Sequence, residues 1–402
     1  MSRLTKLSRV AALGAVMALA ACDSKKDLLG PDSPPGGDIF KSYVALGNSI
    51  TAGFQSNGIN DSTQRQSYAR LLAGQMGTQY HYAALAGRGC TPPIANGLTG
   101  ALVANAPAGT CDLRVASSVT DILNNVAVPG ARVLDPTSAT TVASNALTTF
   151  ILGGKTQVQK ALDARPTFAT IWIGNNDVLQ PALSGLFQPI VSTPAQFKTA
   201  YDAMISQLTT GAPDLKGGVL IGVAKAQFLP SFTTGALLFA TPAAQGAINL
   251  ATGKTVVIDP SCNGSTSLIN VVSIIPAIKS GQHPAVIACA KGIYPAPVGD
   301  LYVLDPAEQT TLNTTIDAYN SYIQTTASAI NFAYYDPNVL FAAQKATGAI
   351  PPFPDFKSST ATYGPLISLD GVHPTGAAHR LIANDLINVI NAKYATKLAL
   401  IP

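Results

Sequence analysis

Short apolar runs recur along this chain, most of them stopping at a glycine, asparagine or aspartate, with helix-patterned segments between them. The runs cover 42–46, Gln79–Leu85, Phe168–Ile173, Gly218–Ala224 and Asn331–Asp336. Helical spacing marks Gln66–Met76, Lys155–Ala164, Phe197–Leu208, Glu308–Ile330 and about Ala377–Ala392, with Thr375 as the N-cap of the last. Strands alternating with helices pair in parallel, because each return to the sheet is made through a helical crossover. The expectation is an α/β protein whose mostly parallel sheet is covered on both faces. Ligand sites in such sheets lie beyond the carboxyl ends of the strands. The residues that follow each run are therefore the ones that carry chemistry.

The 402 residues are 47% apolar, which excludes a disordered chain and is enough for a large core. Arg3, Lys6 and Arg9 precede an apolar run from Val10 to Ala21 that ends Leu19-Ala20-Ala21-Cys22. A basic stretch, a short apolar stretch and small residues at the cut describe a secretory leader rather than a membrane span. The ending resembles a bacterial lipobox, which implies removal of residues 1–21 and lipidation of Cys22. Residues 22–38, rich in Pro, Gly, Ser and charge, then read as a flexible tether, and 39–402 as the folded domain. The expected location is the bacterial cell envelope, periplasmic or outer-surface, with the lipid as membrane anchor. Losing Arg3, Lys6 and Arg9 with the leader takes the formal charge from +4 to +1. Such a chain gives no electrostatic case for nucleic acid.

Two stretches, about 86–124 and 230–301, are too long for ordinary connections and read as excursions from the domain. Each holds two cysteines, Cys90 and Cys111 in the first, Cys262 and Cys289 in the second. An even number in an exported chain reads as disulfides. Three pairings are open, and the local ones, Cys90–Cys111 and Cys262–Cys289, are favoured. Their spacing matches no CxxC pattern, so no metal site is expected. The apolar run Gly235–Ala240 suits packing, or the cover of an acyl chain.

Ser49 follows the first run across Gly47 and Asn48, where a helix opens and backbone N–H groups favour negative charge. Alone, it is ordinary turn chemistry. A serine nucleophile needs a base, and the mature chain holds four histidines. His81 lies in a predicted strand, as a core or surface side chain. His283, beside Pro284, reads as a solvated loop residue. His379 on the last helix reads as surface or packing. His373 differs, because Asp370 precedes it by three residues across Gly371. That spacing lets one carboxylate reach Nδ1 of the imidazole.

Four blocks then occur in order: Gly47-Asn-Ser-Ile50, Asn125-Val-Ala-Val-Pro-Gly130, Gly174-Asn-Asn-Asp177 and Asp370-Gly-Val-His373. Together they resemble the SGNH hydrolases, or GDSL lipase/esterase family, over about residues 42–393. The resemblance implies a flavodoxin-like, three-layer α/β/α fold and a carboxylic ester hydrolase that needs no cofactor. It also implies that Ser49 is the nucleophile, His373 the base and then acid, and Asp370 its orienting partner. The oxyanion would be held by the N–H groups of Ser49 and Gly130 and the side-chain amide of Asn176.

The first block departs from the family name, reading Gly-Asn-Ser-Ile where the name records Gly-Asp-Ser-Leu. Asn48 carries no charge, but it can hydrogen-bond and adopt unusual turn angles. Ala86-Gly-Arg-Gly-Cys90 is a rival glycine block that offers Gly89 in place of Gly130. The expected activity is ester cleavage through an acyl-enzyme, on a small-molecule, lipid or glycan ester. Removal of acetyl groups from polysaccharide, thioester cleavage and a non-catalytic surface-binding lipoprotein are the competing readings.

Overall fold

The computed structural model describes residues 37–109, 111, 114–138, 146–184, 192–293 and 301–402. The leader, Cys22 and nearly all of the tether lie outside the described residues.

The chain enters the sheet in β1 (Tyr43–Gly47), crosses to β2 (Phe168–Trp172) and then to β3 (Gly217–Ile221). The second excursion supplies short strands β4 (Phe232–Thr234), β5 (Val257–Ile258), β6 (Leu268–Asn270), β7 (Val286–Ile287) and β8 (Val303–Leu304) before the chain returns in β9 (Ala333–Tyr335). The main sheet runs β1-β2-β3-β9 and is parallel throughout. Residues 124–128 extend it beyond β1: Val126 N–H donates to Ala45 O and Val128 N–H to Gly47 O. The Asn125 block therefore ends beside the Ser49 block, at the carboxyl edge of the sheet.

Alternation along the strands divides the core into two layers, since successive side chains point to opposite faces. Val44, Leu46, Ala169, Ile171 and Leu220 pack one way, against Phe197, Met204 and Ile316. Tyr43, Ala45, Phe168, Trp172 and Val219 pack the other way, against Leu72, Ile382 and Leu386. The fold is the three-layer α/β/α arrangement with a parallel central sheet. Among the described residues no helix is long and apolar enough to cross a membrane.

The helices expected from periodicity form at Tyr68–Met76, Gln157–Asp163, Pro194–Gly211, Pro306–Ala329 and Gly376–Tyr394. Their ends follow capping chemistry: Thr193 with Gln196 and Asp305 with Glu308 make capping boxes, and Thr375 accepts from Ala378 N–H. Gln79–Leu85 does not form a strand. Tyr82 makes an isolated bridge to Asn125 and Leu85 another to Arg114, while side-chain amides take up other backbone N–H groups of the run: Asn124 Oδ1 accepts from His81 N–H and Gln64 Oε1 from Leu85 N–H. A helix also forms at Asn175–Ser184, where Asn-Asn-Asp and Pro181 disguise the periodicity. Another forms at Pro337–Ala346, which the helical spacing did not mark. Its signal was an Asp336 N-cap before Pro337 at the first helical position.

Cys90 is bonded to Cys111 and Cys262 to Cys289. The second excursion has its own apolar cluster, including Leu238, Ile248, Ile269 and Ile274, around the antiparallel β4-β6-β8 sheet. Gly235–Ala240 is a helix whose Leu238 is buried in that cluster, so the packing reading of this run holds.

Candidate active site

β1 delivers Ser49 through a turn that only glycine tolerates at position 47. Gly47 has φ +157°, and a Cβ there would lie 2.5 Å from Trp172 O and from Thr51 Oγ1. Gln157 clasps both backbone groups of Gly47, accepting from its N–H at 2.9 Å and donating to its O at 3.0 Å. Asn48 then caps the short helix Ser49–Ala52 by accepting from Ile50 N–H. Its backbone is extended (φ −111°, ψ −153°), so its contribution is the cap and not an unusual turn angle. Asn48 Nδ2 also donates to Asn175 Oδ1 at 3.4 Å, a bond an aspartate could not give.

Ser49 Oγ lies 2.8 Å from His373 Nε2, and His373 Nδ1 lies 2.8 Å from Asp370 Oδ2. Asp370 accepts three backbone bonds besides, from Val372, His373 and Asn57. Burial alone would raise this carboxyl. The adjacent imidazole and the hydrogen bonds outweigh that and hold it at about 2. Phe54 packs on the imidazole with ring centroids 4.8 Å apart. Ser368 Oγ accepts from Ser56 N–H, and Leu369 N–H donates to Ser56 Oγ. The loop 54–57 thus grips Asp370 and His373 from outside. Its turn composition was visible in sequence, but its partner, more than 300 positions away, was not.

Asn176 sits in the first turn of the helix Asn175–Ser184, after Gly174, whose φ of +108° and tight packing on Phe197 exclude a side chain. Asn176 Nδ2 donates to Ala131 O at 2.8 Å, which ties this amide to the residue after Gly130 and leaves its second N–H for a ligand. Asp177 accepts from Val133 N–H and Ser192 Oγ–H, binding the two blocks together. Its burial raises the carboxyl to about 6. Gly130 is exposed with φ +83°, while a Cβ on Gly89 would lie 1.9 Å from Ile59 O. Neither glycine lines the cleft that holds Ser49.

That cleft encloses about 560 Å³ of non-atom space, open mouth included. Ser49, Asn176 and His373 line it, together with apolar residues that include Leu229, Leu312 and Phe341. The other histidines lie elsewhere. His81 is half-exposed, with Nδ1 3.6 Å from Asp121 Oδ2. His283 is buried rather than solvated, and Nδ1–H donates to Pro284 O. His379 is fully buried and not at the surface. Its Nδ1 accepts from Tyr68 N–H, and burial, with a smaller push from His373, lowers it to about 3. Among the described residues no group of His, Cys, Asp or Glu is placed to hold a metal ion.

A family model described as GDSL-like lipase/acylhydrolase matches residues 43–386. No curated protein matches the chain. Among solved structures, a catalytic mutant of an acetylxylan esterase from Geobacillus stearothermophilus is similar at 12% identity and a TM-score of 0.38, covering 87% of this chain and 94% of that one. An extracellular lipase from Streptomyces rimosus is similar at 15% identity and a TM-score of 0.37, covering 88% and 99%. An α/β hydrolase from the metagenome of Lake Arreo, Spain, is similar at 13% identity and a TM-score of 0.38, covering 89% and 99%. Likeness at this level carries no functional argument.

Proposed function

The chain belongs to the GDSL-like lipase/acylhydrolase family of serine esterases and lipases, and we propose that Ser49, His373 and Asp370 carry its reaction through an acyl-enzyme. The carrying observation is the unbroken relay of two 2.8 Å contacts from Ser49 Oγ through the imidazole to Asp370. Ser49 Oγ attacks the ester carbonyl while His373 Nε2 takes its proton, and Asp370 holds the tautomer that leaves Nε2 free to accept it. The oxyanion is received at the cleft by the N–H of Ser49 and the side-chain amide of Asn176, with Gly130 N–H, outside the cleft lining, as the third donor the motif order implies. His373 then protonates the departing alcohol, and water releases the acyl group by the same route in reverse.

The apolar lining, Leu229, Leu312 and Phe341 among it, favours an acyl chain longer than acetyl, and so an esterase or lipase over a polysaccharide deacetylase. For the cell, we propose export and anchoring through a lipid on Cys22. The leader supports this, and two disulfides favour an oxidising compartment. A Cys22→Ser variant is then expected to leave the membrane fraction.

The test of the chemistry is Ser49→Ala, expected to lower kcat on p-nitrophenyl esters about a thousandfold or more with the fold intact. A fluorophosphonate probe should label Ser49 and no other residue. Substantial activity in the variant, or labelling elsewhere, would sink the assignment.

A further inference from the structure

We propose that the second excursion builds the alcohol-side subsite, with Ser273 and Tyr302 selecting esters of polyhydroxylated alcohols. The inference rests on the serine-hydrolase reading above. Asn176 and Leu179 line the apolar cleft and also a second, more open groove of about 520 Å³ that continues toward the excursion. Gln180 and Leu183 form one bank of that groove, and Ser273 and Tyr302 the other. The two depressions thus meet at the amide assigned to the oxyanion. An ester bound there has two ends, and the grooves differ in kind: one is more enclosed and mostly apolar, the other more open, with Gln180, Ser273 and Tyr302 set among its leucines.

Those groups have capacity to spare. Ser273 Oγ accepts from Asn270 Nδ2, while its own O–H has no acceptor among the described residues. Tyr302 OH has no hydrogen-bond partner among the described residues, and Gln180 uses only its oxygen, on Arg132. A hydroxyl-bearing alcohol can occupy all three.

The bank is held rigidly against the reacting groups. Asn270 Nδ2 donates to Leu183 O at 2.6 Å across the groove, and Asn270 N–H donates to Tyr302 O. Val272 lies so close to the Asp370–His373 loop that a Cβ on Gly371 would come within 2.8 Å of its Cγ2. Glycerol and sugars share the chemistry required, and the assay separates them.

The experiment compares kcat/KM for glyceryl monobutyrate and for butyryl glucose with that for p-nitrophenyl butyrate, in the wild type, Tyr302→Phe, Ser273→Ala and the double variant. Loss of two hydrogen bonds predicts a fall of about tenfold in the polyol-to-nitrophenyl ratio in the double variant. The polyol whose ratio falls is the source. Ratios that stay constant, whether rates hold or drop together, would overturn the subsite, since a scaffold role moves all esters alike.

A second measurement needs no variant. Glycerol added to the acyl-enzyme attacks its carbonyl and yields its hydroxyl proton to His373. Ser49 Oγ leaves with that proton, and glyceryl butyrate is released. Transfer to glycerol should exceed transfer to propanol at equal concentration, and equal transfer would refute the subsite. A wild type that cleaves no ester and escapes fluorophosphonate would fail at the earlier reading and take this one with it. One that cleaves only p-nitrophenyl butyrate would fail at the subsite alone.

Discussion

Asp370 shows how single groups set the working range of the site. Three backbone N–H groups and the imidazole keep it ionised down to about pH 2, against the burial that would neutralise it. Loss of activity on acidification above that range is therefore not loss of the Asp370 charge. Asp370→Asn is expected to lower kcat by roughly two to four orders of magnitude, because an amide at this position can favour the wrong tautomer. His373→Ala should cost at least as much and abolish the acid limb of the pH–rate profile. The two losses should be far from additive, as the pair acts as a unit. Losses that multiply in the double variant, or a pH profile indifferent to His373, would overturn the pair.

Elements far apart in the chain hold these groups by contact, and two such contacts are testable. Gly371, at φ +73°, turns the Asp370–His373 loop with Val272 and Tyr363 packed on it. Gly371→Ala should shift that loop and lower kcat at least tenfold, since a small misplacement of a base costs heavily. Val272→Ala in the same chain should restore part of the loss, and a Gly371→Ala enzyme of full activity would contradict the packing. The closing helix carries the second contact. His379 is buried and neutral, with burial lowering it from 6.5 to about 3. Its folded state binds fewer protons than the unfolded chain, so this stability is present above about pH 6.5 and is lost progressively as pH falls toward 3. The full effect is on the order of 5 kcal/mol. Urea unfolding across that pH window should show a shallower acid slope for His379→Asn than for the wild type. Identical slopes would mean that His379 does not govern acid stability.

At the scale of the molecule, both excursions act as buttresses of the catalytic edge. The first packs on the loop that holds Asp370: Cys90 N–H donates to Ile59 O and Ile94 N–H to Ser56 O. The second reaches Gly371 and Leu183. Closing loops of 21 and 27 residues, the disulfides Cys90–Cys111 and Cys262–Cys289 should each stabilise the fold by about 3 kcal/mol. Reduction is therefore expected to lower the melting temperature and to cost activity before the central sheet unfolds, followed by esterase assay and far-ultraviolet circular dichroism. Activity lost only together with the sheet signal would argue against the buttress role.

Local chemistry in the sequence determined the alternation of strands and helices, the capped helix starts, and the glycines at 47 and 174 that a side chain would block. These depend on neighbours within a few positions, which is why β1, β2, β3 and the long helices were legible. The block order marked Ser49, Asn176, Asp370 and His373 for the same reason, each within its own short turn. Tertiary structure alone decided the rest. Gln79–Leu85 surrendered its ladder to the amides of Asn124 and Gln64, and His283 and His379 were buried by elements remote in sequence. The clasp of Gln157 on Gly47, the grip of Asn57 on Asp370 and the meeting of two grooves at Asn176 span 110, 313 and about a hundred positions. No local propensity encodes such contacts, because they exist only once the crossovers have folded the carboxyl ends of the strands to one edge.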